Sequence, residues 1–204
     1  VNLLNFRHHQ YTRAGSGHDV PMWLKVSFTA LAVVVFVAYW DYYGPENYLW
    51  FSDIALFALV PALWLGNRLI ASTMAIAVLI PEIVWTLDFI TLSYFSVLAN
   101  YMFEAERALH IRVLSGKFHL ALPPVLIYML YKFGYGRRGF ALQCLVALIV
   151  LPVTYLVSDP EANINWAFGS GEAQDMINPW LYLLLLWFAM VVIIYLPIGY
   201  ANAS

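Results

Sequence analysis

Apolar residues fall into six long blocks separated by short polar punctuation. The first, Met22–Trp40 (MWLKVSFTALAVVVFVAYW), closes on Tyr39 and Trp40 and is followed by the turn Asp41–Asn47, with Gly44-Pro45 as its breaker. The second is Tyr48–Leu65, and Gly66-Asn67-Arg68 connects it tightly to the third, Leu69–Ile90. The fourth, fifth and sixth are Gly116–Phe133, Phe140–Ser158 and Pro179–Tyr200, separated by the turn Gly134–Gly139 and the polar loop Asp159–Asn178. Blocks of about 20 apolar residues are what a helix needs to cross a hydrocarbon core. The pattern therefore predicts an all-α, polytopic membrane bundle of six transmembrane helices. The stretch between the third and fourth blocks fits this rule least well. Leu92–Phe103 is apolar but too short to span, which suits a re-entrant or interfacial segment. Glu104–Ser115 (EAERALHIRVLS) alternates charges and spaces Leu109 and Val113 four apart, which suits an amphipathic helix at the surface.

Composition supports the membrane class. The 204 residues are 63% hydrophobic and 11% charged, with mean hydropathy +0.73, more apolar surface than a soluble fold of this size can bury. Ten Lys and Arg spread along the chain form no basic patch, which argues against nucleic acid as a partner and leaves the lipid bilayer. Cys144 is the lone cysteine, so an intrachain disulfide and a Cys-based metal cluster are excluded. The polar segment 1–21 carries Arg7, His8, His9, Arg13, His18 and Asp19. Histidines in such a tail are expected to be incidental, and Met22 reads as an alternative start. The remaining 22–204 reads as a single six-helix transmembrane domain without internal repeats.

Orientation follows from the basic residues. With a cytoplasmic N-terminus, seven of them (Arg7, Arg13, Lys25, Arg68, Lys132, Arg137, Arg138) lie inside and three (Arg107, Arg112, Lys117) outside. Both termini are then expected on the cytoplasmic side. In that frame Asp53 lies about 8 Å below the outer end of its helix, and Glu82 about 20 Å up from the inner end of the third. Asp88 lies near the outer boundary, and His119 enters from the outside in the fourth block. Ionisable residues at membrane depth are costly and point to a site by default.

These groups define the candidate chemistry. Asp53, Glu82, Asp88 and His119 are expected to converge in the outer half of the bilayer, under a lid made by the NINW loop with Asn163 and Asn165. In a catalytic version Glu82 is the general acid or base and His119 its partner. In a binding version Asp53, Asp88, Asn163 and Asn165 hold a small polar ligand, a lipid headgroup or a cation. Two carboxylates and a histidine suit a divalent metal, but no HxxxH or ExxH spacing supports one, so metal and cofactor stay open. Pro81 frees the carbonyl of Ala77, and Pro123 and Pro124 free those of His119 and Leu120. NINW is not a glycosylation sequon, and neither Ser52 nor Ser115 sits in a nucleophile-elbow glycine pattern.

The segments WFSDIALF (Trp50–Phe57), PEIVWTLDF (Pro81–Phe89), LSGKFHLALPP (Leu114–Pro124) and DPEANINWAFG (Asp159–Gly169) resemble a group of uncharacterised small bacterial six-span integral membrane proteins. The resemblance covers most of Met22–Tyr200. It implies a bacterial inner-membrane location and supplies no catalytic residues. A transporter, or a structural subunit of a membrane complex, remains an alternative to a binding site. In this reading the inner half offers no ionisable residue to line a route, which counts against an ion-coupled carrier.

Overall fold

The computed structural model describes residues 20–92, 99–103 and 107–201. The tail histidines, the middle of the Leu92–Phe103 run, and Glu104 with Glu106 lie outside the described residues. Helices follow the apolar blocks closely: α1 Met22–Tyr42, α2 Phe51–Leu65, α3 Arg68–Ile90, α4 Leu109–Phe133, α5 Gly139–Val157 and α6 Pro179–Met190. A π-helical turn, Val191–Tyr195, continues α6 into α7, Leu196–Ala201. Among the described residues there is no strand. Among the described residues five helices are long and apolar enough to cross a membrane: α1, α3, α4, α5 and the continuous Pro179–Tyr200 rod. α2, at 15 residues, is apolar but shorter.

Local chemistry explains the helix ends. Gly66 takes a left-handed conformation (φ 61°) that stops α2, and the Asn67 side chain accepts from the N–H groups of Leu69 and Ile70 to start α3. Asn178 caps α6 in the same way, with Pro179 in the first turn. The π turn lies just before Pro197, whose missing N–H and bulky ring would disturb an ordinary helical ladder, so a widened turn accommodates it.

α3 is the centre of the bundle. It packs most extensively on α4, then α2 and α5. In the apolar windows of α3 and α4, 56% of residues are buried, against 28% for α1 and 22% for α5 and the Pro179–Tyr200 rod. The peripheral helices thus turn most of their apolar surface outward, as a bilayer permits. At one end of the bundle α3 and α5 touch backbone to backbone. A Cβ on Gly139 would come within 2.9 Å of the Ser72 Cβ, and Ser72 Oγ accepts from the Gly136 N–H at 2.8 Å.

Two expectations change. α4 starts at Leu109 rather than Gly116, so Leu109–Ser115 is its first two turns and not a separate surface helix. Those turns are not wholly surface-lying, because Ile111 and Ser115 are buried. Preceding them is a short 3-10 turn, Asn100–Phe103, packed through Met102 against Trp85. Lys25, counted on the cytoplasmic side, is only 4% exposed, with its ammonium 5.5 Å from the Trp64 ring centre.

Candidate functional site

At the end of the bundle where α1 finishes, α2 starts and the NINW loop folds over, the helices enclose a cavity of about 570 Å³. Its wall on α3 is the face Ala77, Val78, Pro81, Glu82 and Trp85. α4 contributes Ser115, Phe118 and His119, α2 contributes Phe51, Ser52 and Asp53, and Tyr39 of α1 with the following Tyr43 complete one side. Met190 and Ile194 reach it from the α6 rod, and Asn165 and Trp166 from the loop.

Glu82 is buried, 4% exposed, and its Oε2 lies 2.8 Å from His119 Nδ1. The imidazole is held between two aromatic rings, Trp85 stacked at 4.3 Å between centroids and Phe118 at 3.9 Å. This sandwich fixes the ring plane, and the carboxylate fixes its orientation. The couple joins the two most buried helices through a polar contact. Pro81, one residue before Glu82, has no N–H to give the Ala77 carbonyl on the same wall.

Asp53 has no such partner. It is 2% exposed, lines the same cavity, and its Oδ1 meets no hydrogen-bond donor among the described residues. It is the third residue of α2, where a carboxylate complements the positive end of the helix. That accounts for its tolerance at this position. It does not supply a donor to the oxygen.

The NINW loop closes the cavity by a specific device. Asn165 Oδ1 accepts from the Phe51 N–H at 3.1 Å, and its Nδ2 donates to the Leu49 carbonyl at 2.7 Å. One side chain thus satisfies backbone groups on both sides of the α2 start. Asn163 works within its own loop, donating to the carbonyls of Gly169 and Gly171 and accepting from the Phe168 N–H. Asn163, Asn165 and Trp166 all have positive φ (40°, 54° and 57°), tolerable for asparagine and strained for tryptophan.

Four expected residues line the cavity: Asp53, Glu82, His119 and Asn165. Asp88 does not. It is fully buried in the last turn of α3, and its Oδ2 accepts from the Ala99 N–H at 2.9 Å. Asn163 is absent from the lining as well. Among the described residues no three His, Cys, Asp or Glu side chains are grouped to hold a metal ion.

Other lining groups were not anticipated. Arg107 donates to the Tyr43 hydroxyl and stacks its guanidinium over the Tyr43 ring. Burial pushes the Tyr43 phenol upward, with the Arg107 charge pulling the other way. Glu161 stands exposed at the rim. Helical spacing carried a signal for two of these residues. Trp85 is three residues after Glu82 and Ser115 four before His119, the offsets that share a helix face. Comparison with family models, curated proteins and solved structures finds no match to this chain.

Proposed function

We propose that this chain is a six-span membrane protein of the bacterial inner membrane, with both termini cytoplasmic. Its cavity, open toward the periplasmic half of the bilayer, binds a small polar molecule or a lipid headgroup. One observation carries the reading: Asp53, a buried carboxylate with an oxygen that meets no donor among the described residues, lines a cavity that also holds the Glu82–His119 couple. A buried carboxyl oxygen without a hydrogen-bond partner is destabilising, and a membrane protein tolerates such a group where it serves a site. The Glu82–His119 contact also supports acid–base chemistry on the bound molecule, with His119 oriented by the carboxylate.

Native mass spectrometry of protein released from its membrane in mild detergent tests this. Wild type is expected to retain a defined non-protein mass. Asp53→Asn and Glu82→Gln should each lose it by about tenfold or more, the scale of a charged hydrogen bond in a buried site, with the melting temperature kept or raised. Identical adducts on wild type and both variants would sink the reading.

A further inference from the structure

We infer that the ligand of this cavity presents an organic ammonium group, which Asp53 receives. The inference rests on the reading of the cavity as a ligand site and specifies the chemistry it takes. Among the described residues, the ionisable groups lining the cavity besides Tyr39 and Tyr43 are Asp53, Glu82, Glu161, His119 and Arg107. His119 is engaged by Glu82, and Arg107 donates to Tyr43. Asp53, a cavity-lining acid only 2% exposed, is left with an oxygen lacking a donor. A cation would favour the ionised carboxylate by pairing with it, which a neutral ligand cannot do, and an anion would meet it with repulsion. An ammonium ion supplies both the counter-charge and N–H donors or, when quaternary, the charge alone.

The walls agree with a cation of this kind. Tyr39, Trp50 and Trp166 line the cavity, and aromatic faces attract organic cations, most strongly where water is excluded. A bare metal ion fits less well, because no three potential ligands are grouped among the described residues. An apolar flank is also present. Met190 and Ile194 line the cavity, yet α2 and the α6 rod share no substantial packing contact. A chain attached to the ammonium group would find apolar surface there. The same headgroup chemistry therefore fits an aminolipid or a soluble amine.

Two arms separate these sources. In the first, wild type and Asp53→Asn are held in nanodiscs of equal phosphatidylethanolamine and phosphatidylglycerol, and retained lipid is read by native mass spectrometry. In the second, ethanolamine and tetramethylammonium chloride are titrated against detergent-solubilised protein, with sodium phosphate and glycerol as the anionic and neutral probes, and the melting temperature is read. Selective phosphatidylethanolamine retention, about tenfold over phosphatidylglycerol and lost in Asp53→Asn, supports a lipid ammonium ligand. A melting shift by either amine, absent in Asp53→Asn and without lipid selectivity, supports a soluble one. Preference for phosphatidylglycerol, phosphate or glycerol overturns the ammonium assignment and leaves the cavity as a binding site. No selectivity and no shift with any probe, in wild type as in Asp53→Asn, overturns both.

Discussion

A carboxylate enclosed by membrane helices needs a donor or a counter-charge, and Asp88 has the first. Its Oδ2 takes the Ala99 N–H and so ties the chain after α3 back to that helix. Asp88→Ala should leave this backbone donor unsatisfied and lower stability by about 1–3 kcal/mol, while Asp88→Asn, which keeps an acceptor oxygen, should cost less. Reversible unfolding in mixed detergent measures the difference, and ligand retention should be unchanged in both; loss of retention would return Asp88 to the site. The comparison with Asp53 shows what was legible at this scale. Asp53, Glu82 and His119 stand out in sequence because charge in an apolar block is expensive. The same signal flagged Asp88, and only coordinates separate a carboxylate with a backbone partner from one without. Arg107 and Tyr43 carried no such signal, since Tyr and Arg at block ends read equally well as membrane-interface anchors.

Among the elements, the NINW loop and α4 gave opposite lessons. The loop was readable as a cap because asparagine tolerates left-handed backbone and bonds nearby main chain, and Asn165 does both. Its partners, Phe51 and Leu49, are more than a hundred residues away and could not be read from local pattern. Asn165→Gly keeps the backbone freedom and removes both side-chain bonds, whereas Asn165→Ala also meets strain at φ 54°. Both should lower stability, by about 1–3 kcal/mol for the lost bonds, with Ala the worse of the two. Both should also speed exchange of the Phe51 amide, read by hydrogen exchange with mass spectrometry. Protection equal to wild type would mean that the loop is held by other contacts. α4 begins earlier than its composition suggests. Gly116 and the charges before it look like a break, but the helix runs through Gly116, which is buried where a Cβ would reach the Met102 methyl at 3.4 Å. At 25 residues α4 is about 38 Å long, which leaves its polar first turns beyond a hydrocarbon core of about 30 Å.

Whether the chain crosses the membrane five or six times turns on α2. Its 15 residues give about 22 Å, short of the hydrocarbon thickness. The 3-10 turn Pro45–Leu49 precedes it across the extended residue Trp50, so the helical rod itself is no longer than α2. α2 also packs along both α1 and α3, each long enough to span, and a reversal at Gly66-Asn67 joins it to α3. A crossing α2 puts Asp41 on one side of the membrane and Arg68 on the other; a non-crossing α2 puts them on the same side. Single cysteines at Asp41, Arg68, Arg137 and Glu172, all exposed, can be introduced after Cys144, the lone native cysteine, is replaced by serine. In intact cells a membrane-impermeant maleimide should label positions 41 and 172. Positions 68 and 137, on the side richer in Lys and Arg, should react only after permeabilisation. Labelling of 41 and 68 together would remove α2 from the membrane, and with it the depth at which Asp53 is buried.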